Sequence, residues 1–248
     1  MLRRLPVYLA LAVLSVSCAD SKDDEAPAIE EDTAAATAAV EAATTAADEV
    51  AVAAQDPLTG VDIDNGKALF TPCIACHGAN GEGNMALNAP GIAGQSESYL
   101  KRQLWEFKNG QRGSHEGDIA GAQMRPMAAT LADGQAIADV AAYVAALPAT
   151  VPAVTVQGDA DNGEKLYNSK CGACHGGRAG GNEGLYTPRL TMLGDAYIVR
   201  QLRNFQEGMR GTDDGAVYGK QMAASAKLVT EQELMDIVAF VNELAAGE

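Results

Sequence analysis

The chain has 248 residues, a formal net charge of -15 at pH 7, a mean hydropathy of -0.07, and only one Trp, four Phe and seven Tyr. So acidic a chain is repelled by nucleic-acid phosphates, which excludes nucleic acid as a partner and favours one that presents basic groups. The length suits one large domain or two small ones.

Arg3 and Arg4 precede an apolar stretch from Leu5 to Val16. That is too short to cross a bilayer but has the form of an export signal, so residues 1–18 read as a signal peptide and the mature chain as periplasmic. Leu14-Ser15-Val16-Ser17-Cys18 resembles a lipoprotein cleavage site, with Cys18 as the lipidated residue and membrane anchor. It departs from the pattern in having Ser15 where Leu is usual, and cleavage after Ala19 is the alternative. Residues 19–60 hold 11 acidic groups and one Lys among many Ala and Thr. Too little apolar surface exists there to offset ordering, so the segment reads as a disordered tether; as a coil its reach is on the order of 35 Å.

Residues 61–150 and 158–248 then match each other at an offset of 97 to 98, with a Pro-containing linker over 151–157. Asp64-Asn65-Gly66-Lys67-Ala68-Leu69-Phe70 answers to Asp161-Asn162-Gly163-Glu164-Lys165-Leu166-Tyr167, and Tyr99-Leu100-Lys101-Arg102-Gln103-Leu104 to Tyr197-Ile198-Val199-Arg200-Gln201-Leu202. Two copies are too few for a solenoid, so each is read as a small domain. In each, a first helix is expected from a capping Asp64 or Asp161. A second spans roughly 97–109 or 195–207 and stops at Gly110 or Gly208. A third carries an apolar face: Ile137, Val140, Ala141, Val144 and Leu147, repeated as Leu234, Ile237, Val238, Val241 and Leu244. Thr230-Glu231-Gln232-Glu233 has the form of a capping box. No segment alternates with period two, so the fold class is all-α: two tandem domains of about three helices each, with long loops.

Each copy holds one C-x-x-C-H pentapeptide, Cys73-Ile74-Ala75-Cys76-His77 and Cys171-Gly172-Ala173-Cys174-His175. Two thiols three positions apart can each form a thioether with one vinyl group of a single haem, and the following histidine supplies an imidazole to its iron. The cofactors expected are therefore two covalently attached haem c groups. The second iron ligand is sought between the second and third helices. The first copy offers Met124 and Met127, the second only Met222. The offset between Met124 and Met222 equals that between Cys73 and Cys171, so these two are chosen and Met127 is the alternative; a soft thioether raises the reduction potential. His115 has no counterpart and is read as a surface residue. Pro90 and Pro188 also match, and a carbonyl there can orient the histidine ring. Arg112 and Arg210 either pair with haem propionates or lie on a solvated loop.

On both Cys motifs, both methionines, the tandem repeat, Ala89-Pro90-Gly91-Ile92-Ala93-Gly94-Gln95 and Asp139-Val140-Ala141-Ala142-Tyr143, residues 61–248 resemble the two-haem cytochrome c4 family. That resemblance implies two cytochrome c domains related by a pseudo-twofold and a periplasmic electron shuttle between a quinol-oxidising complex and a terminal oxidase. The competing expectations are a fixed electron-transfer subunit of an oxidase or dehydrogenase complex and, further off, a two-haem peroxidase, which needs an open coordination position.

Overall fold

The computed structural model describes residues 60–247; the expected signal peptide, Cys18 and the expected tether up to residue 59 lie outside the described residues. The first copy forms α1 (Ile63–Phe70), a 3₁₀ turn Thr71–Cys73, α2 (Ile74–His77), α3 (Glu97–Lys108), α4 (Ile119–Ala129) and α5 (Gly134–Ala145). The second repeats it with α6 (Ala160–Lys170), α7 (Gly172–His175), α8 (Asp195–Gln206), α9 (Val217–Ala226) and α10 (Glu231–Ala246). No strand occurs among the described residues, only two single bridges at matching turns, Asn84 with Ala89 and Asn182 with Thr187. None of the described helices is long and apolar enough to cross a membrane.

The fold is all-α, but each copy has five α-helices rather than about three. The methionine-bearing segments, expected as loops, are the helices α4 and α9. Their signal is weak because Gly121 and Pro126 interrupt α4, and a proline removes a backbone donor and crowds the preceding turn. Asp118 starts α4 by accepting the Gly121 amide. The first-helix caps are Asp62 and Asp159, not Asp64 and Asp161, since the former accept the Asn65 and Asn162 amides at 2.9 and 3.1 Å. Gly110 and Gly208 stop the second helices with φ of 76° and 75°, and the Thr230–Glu233 capping box is complete.

One helix crossing, made twice, organises each copy. α1 lies on α5 and α6 on α10. Gly66 and Gly163 allow the approach: a Cβ on them would stand 2.1 Å from the Asp139 carbonyl oxygen and 1.9 Å from that of Asp236. The Asp139 carboxylate accepts the Asp62 amide at 3.0 Å, Asn65 Nδ2 at 2.7 Å and Gln135 Nε2 at 2.7 Å. Asp236 accepts the Asp159 amide at 3.0 Å, Asn162 Nδ2 at 2.8 Å and Gln232 Nε2 at 2.9 Å. Phe70 meets Tyr143, and Tyr167 meets Phe240, each with ring centroids 5.6 Å apart. The expected apolar faces close the cores, around Phe70, Leu100, Ile137, Val140 and Val144 in one copy and Tyr167, Ile198, Leu234, Ile237 and Val241 in the other. The linker is held by a buried carboxylate: Asp195 accepts the Thr155 amide at 2.5 Å, the Thr155 hydroxyl at 2.7 Å and the Val156 amide at 2.7 Å.

Candidate functional site

The crossing helices aim the Cys motifs inward. α1 leads through the 3₁₀ turn into α2, which buries His77 and ends at Gly78 with φ of 81°. His77 Nδ1 lies 3.0 Å from the Pro90 carbonyl oxygen, and His175 Nδ1 3.3 Å from that of Pro188. A carbonyl can only accept, so Nδ1 carries the hydrogen and Nε2 presents its lone pair. Burial holds both rings below the ordinary imidazole value, outweighing the carbonyl contacts, which keeps the lone pair available. None of the four motif cysteines is engaged in a disulfide. Burial, with Cys76 adding to it, pushes the Cys73 thiol up; burial pushes Cys171 up to about 11.

In the first copy these groups share one largely apolar cavity. Cys73, Cys76, His77 and Pro90 lie on its wall together with Met124 and Met127 of α4, and Phe70, Leu100, Leu104, Phe107, Val140 and Val144 complete it. An apolar slot with two thiols, an imidazole nitrogen and thioether sulfur suits haem c in shape and donor set. Met124 and Met127 are both half-buried, one helical turn apart, so the cavity brings both expected candidates together. In the second copy Met222 is half-buried on α9 against Phe205 and Ala223. His115 is exposed, its Nδ1 accepting the Gly117 amide at 3.1 Å.

The cavity has a second owner. Leu193, Tyr197, Arg200 and Gln201 of the second copy close its wall. Around them runs a buried polar network that the sequence reading missed. Arg112 and Arg210, only 6% and 8% exposed, are not on a solvated loop. Arg112 donates to Gln103 Oε1, to the Tyr197 hydroxyl at 2.7 Å and to Gln201 Oε1 at 3.1 Å. Arg210 donates to Gln201 Oε1 at 2.7 Å and to Gln103 Oε1 at 2.6 Å. The pseudo-twofold extends outward, where Arg102 donates to the Tyr186 carbonyl at 2.9 Å and Arg200 to the Asn88 carbonyl at 2.7 Å. Burial would raise the Tyr197 hydroxyl, but the flanking Arg112 and Arg210 guanidiniums hold it below its ordinary value. Polar residues recurring at one offset on the second helix, Tyr99/Tyr197, Arg102/Arg200 and Gln103/Gln201, are the signal that could have revealed the network. Arg112 Nε is buried without a partner, and Arg112 lines the cavity.

A bundle that crosses its terminal helices at a glycine and presents C-x-x-C-H against a methionine helix defines the cytochrome c class. The sequence model for cytochrome c matches residues 63–148 and 160–245. Cytochrome c4 of Thiocapsa roseopersicina is 33% identical over 199 residues, covering 77% of this chain and 93% of the relative. The crystal structure of reduced recombinant cytochrome c4 from Pseudomonas stutzeri superposes with a TM-score of 0.59 at 28% identity, covering 74% of this chain and 98% of that one. A thiosulfate dehydrogenase electron acceptor of Thiomonas intermedia (strain K12) is 36% identical over 151 residues, covering 57% and 65%. The chain belongs to the cytochrome c4 family: it is a two-haem electron carrier with two covalently bound haem c groups.

Proposed function

We propose that His77 and Met124 would ligate the iron of the first haem and His175 and Met222 that of the second. Cys73, Cys76, Cys171 and Cys174 form the thioether bonds, and Pro90 and Pro188 orient the imidazoles. The observation that carries this is the first cavity, which both thiols, His77 with its Nδ1 held by the Pro90 carbonyl, and the α4 methionines line together. When bound, each haem supplies a one-electron couple. The chain's own groups exclude water with apolar side chains, fix the histidine tautomer through a proline carbonyl and supply a soft sulfur that favours the reduced state. Arg112, which lines the cavity with its buried Nε–H unpartnered, would supply a donor for a haem propionate.

On this reading the chain is a periplasmic carrier between a quinol-oxidising complex and a terminal oxidase, held at a membrane by a lipidated Cys18 and the tether of residues 19–60. The acidic charge favours partners with basic docking faces. A second reading, as acceptor for a haem-containing dehydrogenase, draws support from the relative named as a thiosulfate dehydrogenase electron acceptor. Spectroelectrochemistry with haem stoichiometry tests the coordination. Two haems per chain, with a methionine-to-iron charge-transfer band in the ferric form that halves in Met222→Ala and Met124→Ala alike, are expected; an intact band in Met124→Ala would transfer the ligand to Met127. Stopped-flow mixing with a reduced quinol-oxidising complex or a thiosulfate dehydrogenase separates the partners by rate. Mass spectrometry of the membrane fraction shows whether Cys18 carries lipid.

A further inference from the structure

The two copies diverge at one buried position beside the haem cavity. Asp118 is 3% exposed. Its Oδ1 accepts the Gly121 amide at 3.0 Å, while Oδ2 is buried with no hydrogen-bond partner. Gly121 lines the first cavity, and a Cβ placed on it would stand 2.1 Å from that Oδ2. The unpartnered oxygen is therefore pressed against a residue of the cavity wall. The second copy repeats the backbone. A Cβ on Gly113 would stand 2.4 Å from the Gly121 carbonyl oxygen, and one on Gly211 2.2 Å from that of Gly219. Yet the counterpart of Asp118 is Ala216, 2% exposed, whose Cβ lies 3.3 Å from a Cβ built on Gly219. The same pocket holds a carboxylate in one copy and a methyl group in the other.

Compensation nearby is incomplete. Arg200 acts on Asp118 through its charge but makes no hydrogen bond to it, its two terminal nitrogens donating to Asn88 Oδ1 at 3.0 Å and to the Asn88 carbonyl at 2.7 Å. Glu106 also lacks a charged counterpart, since Asn204 stands in its place. Glu106, however, is matched by Arg102 at 2.8 Å and by Gln103 at 2.9 Å. A buried negative charge with no cation hydrogen-bonded to it favours the oxidised, more positive haem, and so lowers its reduction potential.

We propose that Asp118 is a positioning charge that holds the reduction potential of the first copy's haem below the value the same site would have with the second copy's alanine. This rests on the haem coordination proposed above. The test is a spectroelectrochemical titration of the full-length, haem-loaded Asp118→Asn protein. Asn retains the cap and the shape while removing the charge. One of the two midpoints should rise by the equivalent of about tenfold in electron partition, roughly 59 mV for a one-electron couple, and the other should stay. Repeating the measurement in a Met222→His background, which pulls the second copy's wave down, identifies the moving wave as the first copy's. Asp118→Ser, which also keeps a capping oxygen, should give the same rise. A shift below about twofold in both variants, or one confined to the second copy, overturns the proposal. Fewer than two haems, or no thioether band in the unsubstituted protein, would instead overturn the coordination, and the parent spectrum settles that before any variant is titrated.

Discussion

Replacing Gly66 or Gly163 by alanine attacks the helix crossing that organises each copy. The added methyl would sit 2.1 Å from the Asp139 carbonyl oxygen, or 1.9 Å from that of Asp236, with Tyr143 Cβ and Phe240 Cβ at 2.9 and 3.0 Å. The first obstacle is backbone, so it cannot rotate away, and the helices must part by about 1 Å to restore contact distance. Overpacking costs about 1–3 kcal/mol, and stretching the amide and Asn bonds to a buried carboxylate adds about 1–3 kcal/mol. Alanine's better helix propensity returns about 1 kcal/mol, leaving a net loss of about 1–5 kcal/mol. For a domain of this size, at about 4–8 °C per kcal/mol, that lowers the midpoint of the affected copy by roughly 4–40 °C. Thermal unfolding of the haem-loaded variants, followed by circular dichroism, measures it. Gly177→Ala is the control, since a Cβ there meets nothing within 4 Å. Melting of Gly66→Ala and Gly163→Ala within about 3 °C of the parent would refute the close-crossing account.

The same crossings carry a pH dependence. Burial raises the Asp139 carboxyl, but hydrogen bonds from the Asp62 amide, Asn65 and Gln135 outweigh it and hold it below the usual carboxylate value; the Asn162, Asp159 and Gln232 bonds do the same for Asp236. A folded value below the unfolded one stabilises the fold fully above about pH 4, and that stability is lost as pH falls through the lowered values. The gap in urea midpoint between the parent and an Asp139→Asn/Asp236→Asn double variant should therefore stay constant from neutral pH to about 4.5 and narrow below about 4; a gap that widens on acidification contradicts it. Arg112→Met removes the donations to Gln103, Tyr197 and Gln201, at a cost of about 2–4 kcal/mol concentrated between the copies. Calorimetry should then show the two copies melting separately; one unchanged transition would speak against the network as the link.

Legibility followed the reach of local patterns. The third helices were readable because Val140, Val144, Val241 and their neighbours repeat at helical spacing, and that period records burial on one face. The cysteine–histidine motif is local chemistry and needs no tertiary knowledge. The helices bearing Met124 and Met222 were not readable as helices: glycine, proline and short alanine runs give no amphipathic stripe. The Asp62 and Asp159 caps were displaced by two residues because adjacent acidic positions offer equal local capping, and only contact with Asp139 and Asp236 selects between them. Met127 stands on the cavity wall beside Met124, so repeat register, not geometry, separates them. Arg112 and Arg210 were open between a haem partner and solvent because, beside a same-copy glutamine nine residues away, each is held by acceptors 85 to 107 residues away in the other copy: Tyr197 and Gln201 for Arg112, Gln103 for Arg210.

Leu193, Tyr197, Arg200 and Gln201 wall the first cavity from across the pseudo-twofold. The second copy has thus become a co-author of the first copy's redox centre. A substitution in the carboxy-terminal half can retune the amino-terminal cofactor without touching its ligands. Cutting the chain at the linker would not yield two working miniatures: it would strand cationic side chains beside half-open hollows. Duplication supplied the parts, and mutual dependence now keeps them joined.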